Sequence, residues 1–222
     1  MKPFTECAKS TFINLPEEKR DRILREAVRE FADHGYRKAS VNAIVDRLGI
    51  AKGSLYQYFA NKEALFLFVF EQFTRHVKTA VRSGAADTHE DDFFDQVRRV
   101  LEAGIGFIDT YPEYYQIYLK VLFEPGVPAR EELIARVRLF SAEYFGPHCQ
   151  AAKQQGLIRD EIPDRLVFFV LDAVLDRFLQ GYARPYLDGG LLLPDRTRQD
   201  LEEEITMVIH IVRDGLARQG SV

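Results

Sequence analysis

The 222 residues allow one large domain, or one small and one larger, since single cores stop growing at roughly 250 residues. Hydrophobic residues at 46% and charged residues at 29% exclude wholesale disorder, and the longest apolar runs, Ala64–Phe70 and Leu166–Leu175, the second broken by Asp172, fall short of the roughly 20 residues of a membrane span. The net charge of −4 is uneven: residues 1–62 hold 12 basic and 8 acidic side chains, residues 63–222 hold 18 and 26, the asymmetry expected when one end of a chain meets a polyanion.

Two distant cysteines, Cys7 and Cys149, and a start without the apolar stretch of a signal peptide point to a soluble protein in a reducing, cytoplasmic setting. From Pro16 onward, Ile23, Leu24, Ala27, Val28, Phe31 and Ala32 recur on one helical face, with Glu17 and Glu18 at the start and Gly35 just past the end. A second helix is capped by Ser40, turns Val41, Ile44, Val45 and Leu48 to one side, and stops at Gly49. It is too short to stand alone. After Ile50, Ala51 and Lys52 comes "GSLYQYF", which places Leu55 and Phe59 four residues apart on an inward face. Two short helices around a tight Gly-containing turn predict a helix-turn-helix.

If Leu55 and Phe59 point inward, Gly53, Ser54, Tyr56, Gln57 and Tyr58 occupy the start and outer face of a helix that fits a DNA major groove. Gly53 permits close backbone approach, Ser54 and Gln57 can bond base edges, and the tyrosines can reach phosphates or thymine methyls. Lys52 and Lys62 bracket the segment with positive charge. Tyr58 fits a small hydrophobic core equally well; Gln57 and Lys52 read as contact residues.

Asn61 then opens a long helix running to about Ser83, with Leu65, Phe66, Leu67, Phe68, Val69, Phe70 and Phe73 too dense for one face. "GAADTHE" ends it. Further amphipathic segments follow, with no strand alternation: "DDFFDQVRRVLEAGIGFIDTY" up to Pro112, "PEYYQIYLKVLF", a segment of 129–156 with a kink or break expected at Gly146 and Pro147, then 163–187 and 198–219. Enzyme signatures are missing: "GIG" at Gly104–Gly106 follows no strand, no Gly-x-Ser-x-Gly occurs, and His34, His76, His89, His148 and His210 are scattered, His148 and Cys149 being a poor chelating pair. No enzyme, cofactor or metal site is expected; the alternative to a DNA-binding protein is an all-helical ligand-binding protein or enzyme without DNA activity, which would leave the exposed face from Lys52 to Tyr58 unexplained.

The stretch "FADHGYRKASVNAIVDRLGIAKGSLYQYFANKEAL" resembles the DNA-binding domain of the tetracycline-repressor (TetR) family of bacterial transcriptional regulators, over about residues 16–76. Carried over residue by residue, the resemblance implies phosphate contacts from Ser40, Lys52, Tyr58 and Lys62, and groove contacts from Gly53, Ser54, Tyr56 and Gln57. Val41 stands where a second hydroxyl residue is frequent and Gln57 where His or Arg often appears, so no relative's operator can be borrowed. The expected architecture is all-α: a three-helix helix-turn-helix DNA-binding domain over 16–76 and a helical ligand-binding and dimerisation domain over 77–222.

Helices in the middle of the second domain would hold an effector, by the same resemblance. The aromatic residues Phe107, Tyr111, Tyr115, Tyr118, Phe140, Tyr144 and Phe178 suit a small hydrophobic one, although core packing accounts for most of such bulk. The family's dimer forms through its last two helices, here 163–186 and 198–219. Leu166, Phe169, Val170, Ala173 and Val174, with Ile205, Val208, Ile209, Val212 and Leu216, form two apolar stripes expected to need a second copy. A homodimer binding a roughly palindromic double-stranded operator as a ligand-released repressor is the function these features imply.

Overall fold

The computed structural model describes residues 7–84, 92–193 and 196–217, the side chains of 84 and 139–142 excepted. They form the helices α1 Ser10–Ile13, α2 Glu17–Lys38, α3 Val41–Leu48, α4 Lys52–Tyr58, α5 Lys62–Gly84, α6 Phe93–Thr110, α7 Pro112–Phe123, α8 Arg130–Gln154, α9 Asp164–Ala183 and α10 Arg198–Leu216. Extended pairing among the described residues is limited to two isolated bridges, Ala8 with Phe59 and Ile158 with Ala217. The fold is all-α. Most of the loop expected after α5 lies outside the described residues.

The chain divides into two compact units, Met1–His76 with Tyr111–Ala135, and Val77–Thr110 with Arg136–Val222. In the first, α3 and α7 pack on α2. Its core joins Ile23, Ala27 and Phe31 of α2, Ile44 of α3, Leu55 of α4, and Leu65, Phe66, Val69 and Phe70 of α5, all buried. Phe66 meets Phe31 edge-on at 5.0 Å and Tyr36 at 5.1 Å. Such aromatic pairs add to area burial. α2 includes one non-helical residue, Gly35, at φ 66 and ψ 173. A β-carbon there would lie 2.1 Å from an oxygen of Glu124, so both the backbone and the neighbour favour glycine.

The second unit's core runs through Phe94, Val97 and Leu101 of α6, Phe145 and Cys149 of α8, Val167 and Leu171 of α9, and Ile205 and Ile209 of α10. α10 opens with a reciprocal cap, Thr197 and Asp200 each bonding the other's backbone N–H. Two expectations change here. Of the kink or break expected at Gly146 and Pro147, the break is absent, since α8 runs as one helix across Pro147; the proline sits on the exposed side, where water can serve the carbonyl that loses its partner. The α10 stripe needs no second copy, because Ile205, Ile209, Val212 and Leu216 are buried in their own unit. Spaced by four, three and four residues, they form the helix face turned to α6 and α9. The large apolar side chains left outward on these two helices are Met207 and Ile211 on α10 and Leu166 and Phe169 on α9, exposed by 63%, 71%, 48% and 66%.

Candidate nucleic-acid interface

The turn between α3 and α4 is fixed by backbone hydrogen bonds. Gly49 adopts left-handed φ 66 and ψ 34; its N–H donates to the Asp46 carbonyl at 3.1 Å and the Ile50 N–H to the Val45 carbonyl at 3.1 Å. This double closure ends a helix where glycine carries no β-carbon penalty. At the other end of α3, the Ser40 hydroxyl accepts the Ala43 N–H at 3.3 Å. Arg22 donates to the Leu48 carbonyl at 2.8 Å.

A buried carboxylate locks α3 to α2. Glu30, 2% exposed, accepts the Ser40 N–H at 2.8 Å and the Arg47 guanidinium at 2.9 Å, and Arg47 also donates to Glu26 at 2.6 Å. A buried carboxylate with these charge-assisted partners is satisfied, whereas one stripped of them would be costly. Periodicity did not single out this clamp; the two acids one turn apart on α2 were the available signal.

α4 then turns Leu55 inward and leaves Lys52, Gly53, Tyr56 and Gln57 exposed, with Ser54 half-buried. Tyr56 is 38% exposed. Ser40 is exposed as well. Lys62 is half-buried; its ammonium donates to the carbonyls of Arg37 and Ala39 at 3.3 and 3.1 Å and lies 4.7 Å from the centre of the Tyr36 ring. Its charge is thereby held beside the end of α2. Tyr58 is 8% exposed, with its ring 6.1 Å from that of Phe12, so of its two readings the structure shows the core placement. The chain before Pro16 was also silent in the sequence: Lys9 and Thr11 hold the last turn of α4, and Phe12 is buried against Phe59 and Phe68.

The expected effector residues fall in both units. On α7, Tyr115 and Tyr118 are buried, and Tyr111, just before its first residue, is half-buried; Tyr118 stacks on Phe73 at 5.4 Å and Tyr111 on His76 at 4.5 Å. Burial lowers the His76 pKa below its usual 6.5. In the second unit Phe107 and Phe178 are buried, and Tyr144 packs 5.4 Å from His148. Burial raises the Tyr144 pKa, against the pull of Arg99, and both burial and Arg99 lower that of His148. The Phe140 side chain lies outside the described residues. A cavity of about 700 Å³ along α6 and α10 contains none of these aromatics. It is lined by Ile105, Leu201 and Ile205 together with paired polar groups, Arg198 lying 3.4 Å from Glu202 and the Tyr182 hydroxyl donating to Asp109 at 2.7 Å.

Two short helices locked around a glycine turn, the second exposing a lysine, a glutamine and a tyrosine on one face, define a helix-turn-helix DNA-binding protein. The sequence matches the model for bacterial regulatory proteins of the tetR family over residues 23–69 and that for the tetracyclin repressor-like C-terminal domain over residues 91–217. The chain belongs to the TetR family of bacterial transcriptional regulators. It is 25% identical over 203 residues to the probable acrEF/envCD operon repressor of Escherichia coli strain K12, covering 86% of this chain and 91% of that protein. It is 24% identical over 181 residues to the HTH-type transcriptional repressor AcnR of Corynebacterium glutamicum, covering 79% and 88%. A crystal structure of a TetR family transcriptional regulator from Chloroflexus aurantiacus J-10-FL matches with a TM-score of 0.73 and 30% identity, over 96% of this chain and 99% of that one.

Proposed function

We propose that this regulator is a cytoplasmic repressor that binds a roughly palindromic operator as a homodimer and is released by a small hydrophobic effector. The observation that carries the reading is the outward face of α4, where Lys52, Gly53, Tyr56 and Gln57 are exposed while Leu55 and Tyr58 anchor the helix from behind. Lys52, with Ser40 and Lys62, supplies contacts to the DNA backbone; Gly53, Ser54, Tyr56 and Gln57 supply the groove face. Tyr58 contributes by anchoring the helix, and any phosphate contact it makes is limited to its small exposed edge.

Dimerisation uses α9 and α10 through residues 163–186 and 198–219, on the outward side chains Leu166, Phe169, Met207 and Ile211. A two-fold axis then presents two copies of α4 to major grooves about 34 Å apart. The curated relatives from Escherichia coli and Corynebacterium glutamicum are described as repressors, which supports repression here. By the family resemblance the second unit holds the effector, and its aromatics Phe107, Tyr144 and Phe178 suit an apolar one. An effector that prefers the arrangement with the wrong α4 spacing weakens DNA binding by about 1 to 3 kcal/mol of coupling. α5, one helix shared by both units, is the lever.

Capture of genomic fragments by the purified protein tests this reading, with the captured promoter placed before a reporter. The expected result is selective retention of a few fragments and reporter expression that rises when the regulator is deleted. Indiscriminate retention, or none, would remove the DNA-binding reading; expression that falls on deletion would replace repression by activation.

A further inference from the structure

α4 is seven residues long and has no side-chain cap at its start. Helices this short are marginal on their own, and their last four carbonyls lack partners within the helix. Here all four are occupied. The Leu55 carbonyl accepts the Phe59 N–H at 3.0 Å. The remaining three are served by the segment before α2: the Tyr56 carbonyl accepts the Lys9 ammonium at 2.7 Å, the Gln57 carbonyl accepts the Thr11 hydroxyl, and the Tyr58 carbonyl accepts the Lys9 N–H at 2.9 Å. An antiparallel bridge joins Ala8 to Phe59, and Phe12, 1% exposed, packs at 4.8 Å on Phe59 and 5.4 Å on Phe68. The Lys9 charge also sits at the negative end of the helix dipole.

We infer that the segment Ala8–Ile13 is a latch that sets the angle and register of α4, with Lys9 and Thr11 as positioning residues for base readout. The inference deepens the DNA-recognition reading of α4 and rests on it. The latched carbonyls belong to Tyr56, Gln57 and Tyr58, so two of the three lie on residues whose side chains face outward. A tilt of the last turn displaces those side chains from any base edge they meet, and base contacts tolerate such displacement less than contacts to the DNA backbone do. The latch lies outside the family match, which begins at residue 23.

The test compares Thr11→Val, which removes the donor while keeping the shape, with Thr11→Ser, which keeps the hydroxyl, and with Lys9→Met. Each full-length variant is titrated against a duplex selected by the native protein from a random pool and against a random duplex of equal length. Thr11→Val is expected to bind the selected duplex about three- to tenfold more weakly, the scale of one lost hydrogen bond, with random-duplex binding at its native value and the unfolding midpoint only slightly lowered by the same loss. Thr11→Ser should restore the loss. Lys9→Met should show the same selective weakening, with the salt slope unchanged because its ammonium serves a carbonyl and no phosphate. Backbone hydrogen exchange over Tyr56–Phe59 should accelerate in Thr11→Val and Lys9→Met alone.

Unchanged selected-duplex affinity with unchanged exchange overturns the latch. So does an equal loss on both duplexes, which would mark Thr11 as merely structural. A native protein that enriches no sequence overturns the recognition reading itself and the base-readout role with it, and native-like exchange in the variants separates that failure from a failure of the latch.

Discussion

The two units of this regulator place their working residues differently along the chain. In the first, the candidate DNA face is nearly continuous: Lys52, Gly53, Ser54, Tyr56 and Gln57 lie within six residues, and one helix with one buried side determines which of them meet solvent. In the second, apolar side chains from four helices share one core, and those left outward, Leu166, Phe169, Met207 and Ile211, are separated by up to 45 residues. A short helix held against a core exposes its function in local sequence. A bundle spreads the same information over contacts that periodicity alone does not assign.

The largest effect is expected where the first unit's order depends on packing. Phe31→Ala removes a ring with no exposure, packed 5.0 Å from Phe66, and should cost about 3 to 5 kcal/mol in chemical denaturation. Operator binding should fail in parallel, because α2 is the wall against which α3 stands. A variant of native stability would show the first unit to be less dependent on this core than the comparison requires.

The next effect is expected from charge placed on the second unit's outward face. Placing glutamate at Phe169 and Ile211 together should weaken self-association about thirtyfold or more, equivalent to about 2 kcal/mol, with helix content retained. Sedimentation velocity reads the dissociation constant directly. A stable dimer in that double variant would move the interface away from α9 and α10.

Within α4, Gln57→Ala and Lys52→Ala separate two kinds of contact. Gln57→Ala should relax base preference by about 1 to 3 kcal/mol at one position of each half-site. Lys52→Ala should weaken all sequences alike and lower the slope of log affinity against log salt by about 1. Fluorescence anisotropy at several salt concentrations distinguishes them, and matching profiles would dissolve the distinction.

The smallest expected effect is a pH dependence. His76 and His148 both have pKa values lowered from 6.5, His76 by burial and His148 by burial and Arg99. The unfolded chain therefore takes up protons at a pH where the folded chain does not, and stability falls as pH drops through about 6.5, with no contribution from these groups at higher pH. His76→Gln should flatten part of that slope in denaturation midpoints measured from pH 7.5 to 5.5. A slope unchanged by the substitution would assign it to other groups.

The helix-turn-helix was legible because each of its parts has a local signature: Ser40 as a cap, Gly49 as a left-handed stop, and Leu55 with Phe59 as an inward pair. Gly35 likewise marked the end of the regular part of α2. The clamp of Glu30 and Arg47, 17 residues apart, was not legible, since nothing local pairs them. Nor was the role of Lys9 and Thr11, whose partners lie 47 and 46 residues away and are backbone carbonyls that any sequence would supply. Tyr58 was ambiguous because a tyrosine satisfies a core with its ring and a surface with its hydroxyl; burial against Phe12 decides it. On α10 the spacing located the apolar stripe correctly, but periodicity does not say whether a stripe meets its own subunit or another. Pro147 was read as a kink or break, and a break was open because the missing donor and the ring crowding were weighed without knowing that the residue faces solvent.

The central claim is that α4 reads bases with its outward face, twice per dimer. Selecting duplexes from a random pool with the native protein and with Gln57→Ala, followed by sequencing, tests it most directly. The account predicts enrichment by the native protein of an inverted repeat with half-sites separated by a whole number of helical turns, and loss of preference at one symmetric pair of positions with Gln57→Ala. No enriched motif, an asymmetric one, or an identical motif from both proteins would contradict it.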